Sequence, residues 1–291
     1  MSAEQNTRLG ILLMIIVTVV FALQDALSRH LAGSYNVWMV VMIRYWFFAA
    51  FVIALASRAK GGLRAAIRSA SPKVQLLRSL LLALEIVVMI TGFVHIGLVE
   101  SHAVFATYPL LIAALSGPVL GEKVGWRRWM AIGIGFVGVL IILQPGSGVF
   151  KPGALFPLAA ATMFALYGLL TRYVGRYDAA SVSFFWTGTI GAVVMTAIGL
   201  NHWQAMLPLD WFWMGCLCCA AALSHYLLIR AYEVAEASAI QPFAYLQLVF
   251  ASGLGMVLFD ETLRSNVMIG SAIVVCAGLF TLWRQRLREK R

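Results

Sequence analysis

The chain has 291 residues, of which 62% are apolar and 12% charged, and its mean hydropathy is +0.87. An ordinary soluble domain carries about 25% charged residues, and this chain cannot clothe itself in a polar skin. A soluble enzyme, a disordered chain and a DNA-binding domain are therefore excluded, and a polytopic membrane protein with lipid as its outer solvent is expected. The net charge of +10 does not restore a nucleic-acid reading, because the basic residues lie between apolar runs.

A membrane-crossing helix needs roughly 20 mostly apolar residues. Ten such runs are predicted: Leu9–Leu31, Val37–Ser57, Gln75–Ile96, Ser101–Leu120, Trp129–Leu143, Ala154–Arg172, Ser181–Leu200, Trp211–Ala231, Ser238–Leu258 and Val267–Trp283. The polar stretch Met1–Arg8 precedes a run too long for a signal-peptide core, so that run is expected to remain as a helix. Gly33-Ser34-Tyr35-Asn36, Lys60-Gly61-Gly62, Gly121-Glu122-Lys123, Pro145-Gly146-Ser147-Gly148 and Asp260-Glu261 punctuate the runs. The longest link, Arg58–Lys73, is predicted to hold a short amphipathic piece at the membrane surface. Cys216, Cys218, Cys219 and Cys276 all fall inside apolar runs, which points to small thiols rather than disulfides or a zinc site.

Placing the N-terminus in the cytoplasm puts 18 of the 22 basic residues inside and only Arg29, Lys151 and Arg264 outside, with Arg44 left within a span. That asymmetry orients the chain with both termini cytoplasmic. The sequence also repeats itself. Phe21-Ala22-Leu23-Gln24-Asp25-Ala26-Leu27-Ser28-Arg29 returns 143 residues later as Phe164-Ala165-Leu166-Tyr167-Gly168-Leu169-Leu170-Thr171-Arg172. Glu100-Ser101-His102-Ala103-Val104 resembles Glu236-Ala237-Ser238-Ala239-Ile240, and Gly121-Glu122-Lys123 resembles Asp260-Glu261-Thr262. Two halves, 1–146 and 147–291, are expected. With five helices each, the second enters the membrane from the opposite side, which gives an all-α integral membrane fold built as a five-plus-five inverted repeat.

Tyr108-Pro109-Leu110 running to Leu120-Gly121-Glu122-Lys123, and Pro242-Phe243-Ala244-Tyr245-Leu246-Gln247 running to Phe259-Asp260-Glu261, resemble the two modules of EamA-type members of the drug/metabolite transporter (DMT) superfamily. Within it the chain looks most like the YddG group of bacterial amino-acid exporters. The second module departs in having Gln247-Leu248 where the first has Tyr108-Pro109. The resemblance implies an inner-membrane secondary transporter with a central cavity between its halves, working by alternating access. It implies export of amino acids and related small metabolites, with efflux of lipophilic cations by proton exchange as the alternative. No enzyme motif occurs, and no cofactor, metal or nucleic-acid partner is expected.

Polar side chains deep in the spans are the candidates for the solute, because they are costly there without a partner or a wet cavity. Asp25 and Arg44 lie at similar depth, roughly 10 Å from one surface at 1.5 Å per residue, and are expected to form an ion pair. Glu85 falls near the middle of the third run, with substrate or proton binding and a simple interhelical hydrogen bond as open readings. The uncharged candidates are Gln24, Tyr108, Tyr167, His225, Gln241, Tyr245 and Gln247. Gln241 and Tyr245, four apart, are predicted to share a helix face that walls the cavity. His225 is read as a packing residue or a proton relay. Trp186, inside the seventh run, is a candidate for stacking on substrate, while the other tryptophans near run ends read as interface anchors. Glu122 and Glu261 read as helix-end caps. Pro109 is expected to interrupt the fourth helix, as a static kink or as a hinge.

Overall fold

The structure is a computed structural model that describes residues 6–59, 61–121, 125–144, 152–235 and 240–289. Glu122, the second-half copy of the Glu100–Val104 motif up to Ala239, and the expected junction at 146 and 147 lie outside the described residues. Every described element is helical: α1 (Thr7–Ser34), α2 (Val37–Arg58), α3 (Gly62–Ile67), α4 (Pro72–Phe105), α5 (Tyr108–Leu120), α6 (Trp126–Leu143), α7 (Leu155–Val174), α8 (Ala180–Gly199), α9 (Pro208–Val234), α10 (Leu246–Phe259) and α11 (Ser265–Glu289). Single 3-10 turns occupy Pro152–Ala154, Leu200–His202 and Gln241–Tyr245. Among the described residues nine helical segments are long and apolar enough to cross a membrane, and Tyr108–Leu120 is a shorter apolar helix.

Local chemistry sets the ends. The side chain of Asn6 accepts the Leu9 N–H at 3.0 Å and that of Asn36 accepts the Trp38 N–H at 2.9 Å, so two helices start on side-chain caps. Pro72 and Pro208 open α4 and α9, where a missing N–H costs nothing. Gly121 ends α5 in the left-handed region at φ 73°. The short helix α3 falls in the Arg58–Lys73 link, where an amphipathic piece was expected, and buries only Ala66.

The predicted third and fourth runs meet at Gly97. Its backbone (φ 86°, ψ 172°) is closed to residues with a Cβ, and it separates the helical stretches 72–96 and 98–105. In an unbroken helix Phe93 and His102 would stand about 13.5 Å apart along the axis. Their rings instead stack with centroids 5.3 Å apart, so the chain folds back at Gly97. A second break follows at Ala106 and Thr107, directly ahead of Pro109, which sits in the first turn of α5. The interruption expected at Pro109 is therefore a turn between two helices rather than a bend within one.

Helices pack in pairs: α1 against α9, α4 against α7, α2 against α8, α6 against α11, α1 against α10 and α5 against α7. The Asn6 N–H donates to the Val234 carbonyl at 3.0 Å, which places the start of α1 and the end of α9 at one end of the bundle, here the first face. At the opposite, second face Tyr35 donates to Asp210 at 2.6 Å. The largest buried cluster surrounds Met39, Val40, Val41 and Met42 of α2 and the middle of α4. The periphery remains apolar, with Val257 78%, Val193 67% and Trp126 66% exposed, as a surface solvated by lipid requires.

The α6–α11 seam depends on backbone contact. A Cβ at Gly270 would lie 2.5 Å from the Gly138 carbonyl oxygen, and one at Gly138 would lie 2.8 Å from that of Gly270. Small residues allow such approach, and van der Waals contact then holds the pair. Gly270→Ala is expected to destabilise the protein by ~1–3 kcal/mol through overpacking, read as a lowered thermal midpoint in detergent. Gly253→Ala, with nothing within 4 Å of the new methyl, serves as the comparison and should not lower it. Equal losses in both variants would refute the seam.

Candidate functional site

The interior carries its polar groups in three tiers. The middle tier surrounds a small hollow lined by Arg44, Tyr45 and Phe48 of α2, Leu82 and Ile86 of α4, and Ala221 and His225 of α9. Glu85 stands on the flank of α4 beside Leu82 and Ile86 and is only 5% exposed, and the charges acting on it are Asp25 and Arg44. Among the described residues no hydrogen bond reaches the Glu85 carboxylate or the Arg44 guanidinium. His225 is enclosed by Phe21, Phe48 and Phe184 at ring distances of 5.6, 5.4 and 6.1 Å.

The tier toward the second face centres on Asp25. Its Oδ2 lies 3.2 Å from His102 Nε2, an ion-pair distance without hydrogen-bond alignment, and accepts Gln247 Nε2 at 3.0 Å. Gln24 Nε2 approaches Asp25 Oδ1 at 3.5 Å, and the Ser224 hydroxyl donates to Gln24 Oε1 at 3.4 Å. The expected Asp25–Arg44 ion pair does not form. The fold-back at Gly97 delivers His102 to Asp25 instead, while Arg44 turns to the hollow. His102 is thus an interior residue at 3% exposure.

The tier toward the first face is built on Arg78, 2% exposed. Its guanidinium donates to Thr171 Oγ1, Gln75 Oε1 and the Ser183 carbonyl, each at 2.9 Å, and to the Tyr167 hydroxyl at 3.3 Å. Gln75 passes the contact on to Asp178 Oδ2 at 2.8 Å. Above Tyr167 stands a chain of rings: Phe164 lies 5.9 Å from Tyr167, 5.0 Å from Tyr108 and 5.5 Å from Phe105.

Three expected cavity residues lie elsewhere. Gln241–Tyr245 is a 3-10 turn, in which residues three apart align and residues four apart diverge by about 120°. Gln241 is consequently exposed, and the Tyr245 hydroxyl runs instead against Gly278 of α11. Trp186 donates its indole N–H to the Ile67 carbonyl at 3.1 Å and so fastens α3 to α8 rather than facing the hollow. A lone arginine among leucines at Leu76-Leu77-Arg78 was the one sequence signal for the Arg78 network.

Glu261 acts as a cap, as expected, but on a distant helix. Its two carboxylate oxygens accept the Leu98 and Val99 N–H groups at 2.8 and 2.7 Å, at the helix start that Gly97 creates. Arg29 of α1 pairs with the same carboxylate and lies over the Phe259 ring, 3.9 Å from its centroid. Next to it Arg264 bonds Glu100 at 2.5 Å.

Interior polar tiers in an apolar helical bundle agree with the comparison to known families, where the sequence profile of the EamA-like transporter family matches residues 8–144 and 151–283. The chain belongs to the EamA-like transporter family. An S-adenosylmethionine uptake transporter of Rickettsia prowazekii (strain Madrid E) is 23% identical over 277 residues, spanning 95% of this chain and 93% of that protein. A riboflavin transporter of Vibrio cholerae serotype O1 is 26% identical over 291 residues, spanning 98% and 97%. A riboflavin transporter of Rhizobium johnstonii is 28% identical over 288 residues, spanning 97% and 93%. A solved structure at 19% identity and TM-score 0.63 covers 97% of this chain and 98% of its own and shares the fold. Membership of the drug/metabolite transporter superfamily is thus shown at the level of the EamA-like family, and these relatives are named for S-adenosylmethionine and riboflavin rather than for amino-acid export.

Asp178, in the link between α7 and α8, gives this EamA-like protein a pH-sensitive contact at its first face. Burial pushes its carboxyl up, but the Ser69 hydroxyl, the Ala70 N–H, the Gln75 amide and the Arg78 charge outweigh that and hold it below its ordinary value of 3.8. A carboxyl depressed on folding stabilises the fold above its unfolded pKa, and that contribution is lost as pH falls through the folded value. Asp178→Asn should therefore lower the thermal midpoint at pH 7, with the gap to wild type closing below about pH 4. A gap that stays constant with pH would exclude the ionised carboxylate as its source.

Proposed function

We propose that the protein is a secondary carrier of the bacterial inner membrane that moves a solute with an α-amino-acid head by alternating access. The head belongs to amino acids, exported from the cytoplasm, and equally to S-adenosylmethionine, the cargo in the name of one relative. The observation that carries the reading is the middle tier. A buried guanidinium and a buried carboxylate, Arg44 and Glu85, act on one another beside one hollow with no hydrogen bond from the described residues to either. A zwitterion supplies the missing partners, carboxylate to Arg44 and ammonium to Glu85, and buried charges gain most from such pairing. A lipophilic cation would meet Arg44 as well as Glu85, which disfavours the efflux alternative. Riboflavin, without a charged head, leaves both groups unpaired.

The reading takes the chain as ten spans. Stretch 98–105 together with α5 forms the fourth, and their 21 helical residues reach about 32 Å. Paired packing supports two inverted halves, 1–146 and 147–291: α1 on α9 is answered by α4 on α7, and α1 on α10 by α5 on α7. With basic residues gathered at the first face, that face and both termini are cytoplasmic. Gln24, Tyr108, Tyr167, His225 and Gln247 join Glu85 around the pathway, and the turn before Pro109 is where α5 and stretch 98–105 swing.

Purified protein in proteoliposomes decides this. Labelled amino acids, S-adenosylmethionine, riboflavin and a lipophilic dication are offered separately. Flux of a zwitterionic solute is expected, with Glu85→Gln and Arg44→Gln each reducing it by at least ~10-fold, as loss of one charge-assisted contact predicts. Flux of riboflavin or the dication alone, or zwitterion flux indifferent to both substitutions, would overturn the reading.

A further inference from the structure

We infer that Glu261 is the latch that keeps the second face of the bundle shut, releasing the start of stretch 98–105 when that face opens. The inference rests on the carrier reading above and adds to it the contact that must break. Three elements converge on this carboxylate: the helix start at Leu98 and Val99, Arg29 of α1, and the end of α10, whose Phe259 ring lies beneath the guanidinium. Deeper in the bundle the same three elements are tied again, by Asp25 of α1 to His102 and to Gln247 at the start of α10. Arg29 and Asp25 are one helical turn apart, as are Val99 and His102, so the two ties share one seam. A path from the hollow to the second face must part that seam.

The latch is built to release. A carboxylate on a helix N-terminus is held by oriented N–H groups and by the positive end of the helix dipole, and it leaves without breaking any helical hydrogen bond. The Arg29 and Glu261 side chains keep 19% and 12% exposure, so water at the second face can take their place. The Arg78 network toward the opposite, first face is by contrast sealed, with Arg78 2% exposed. The site also has room for nothing else: at Gly97 a Cβ would lie 2.6 Å from Glu261 Oε1, so the glycine both breaks the helix and makes space for the carboxylate.

The test reads access, not transport. In a background with the four native cysteines replaced, Ser101→Cys serves as reporter, because Ser101 is 0% exposed and among the described residues its hydroxyl has no hydrogen-bond partner to lose. Labelling by a membrane-impermeant maleimide from the second face is measured in intact cells. Glu261→Gln is expected to speed labelling by about tenfold, equivalent to ~1.4 kcal/mol of closed-state stabilisation, with Glu261→Asp restoring part of the protection. If Glu261→Gln does not yield folded protein, Arg29→Gln decides instead, since it leaves the helix cap in place, and it should speed labelling by a smaller factor. An unchanged rate in folded variants overturns the latch, even where proteoliposome flux is intact. Faster labelling without flux upholds the latch and fails the carrier reading.

Discussion

A helix interrupted inside an apolar bundle leaves backbone N–H groups that hydrocarbon cannot satisfy, and the rest of the interior is arranged around the way one such interruption is resolved. At Gly97 the ladder stops, the chain turns back, and Glu261 takes the Leu98 and Val99 N–H groups. A carboxylate drawn into that position needs a counter-charge, and Arg29 provides it from α1. Once α1, stretch 98–105 and the end of α10 are fixed to one another, the deeper contacts follow. His102 arrives beside Asp25, and Gln247 reaches the same oxygen.

The buried charges differ in how far their surroundings satisfy them. Arg78 is nearly saturated: four neutral acceptors take its donors, and Gln75 links it to Asp178. Asp25 meets a histidine and two amides. Arg44 and Glu85 stand apart, with a hollow beside them and aromatic or aliphatic walls around it. A solvent-excluded charge without fixed partners is costly to keep, and a solute that pairs with it is worth more there than at the surface.

The helices were legible because lipid imposes a length and an apolar composition on every crossing segment. Nearly all expected run boundaries lie within three residues of the described helix ends, and the link helix α3 fell inside the expected link, whereas the break placed at Pro109 lies at Ala106 and Thr107 as a turn between helices. The site was less legible, for reasons that differ from residue to residue. Gln241 and Tyr245 were assigned a common face on the α-helical period, and a single 3-10 turn separates them. Asp25 and Arg44 share a depth, but depth does not encode rotation about the helix axis, and the partner came from a segment 77 positions away that folds back at a glycine. Glu261 was recognisable as a capping residue from the junction motif. Its target at Leu98 lies 163 positions distant, beyond any local pattern.

Charge is divided unevenly along the chain, and this bears on how such a bundle works. Asp25, Arg44, Arg78 and Glu85 all belong to the first hundred residues, whereas the groups hydrogen-bonding them from residue 152 onward are neutral: Tyr167, Thr171, the Ser183 carbonyl and Gln247. Neutral acceptors and donors are exchanged for water more cheaply than an opposed charge, each hydrogen bond to a charged group being worth about 1.5–3 kcal/mol. Opposed fixed charges on the two sides would resist separation far more strongly in a low dielectric. Asp178, Asp210, Glu261 and Arg264 are charged exceptions, and all lie at the ends of the bundle, where water is available to an ion that loses its partner. The strong contacts between the two parts of the chain therefore lie at the two faces, and under the carrier reading proposed above either face opens without tearing a buried ion pair at the centre.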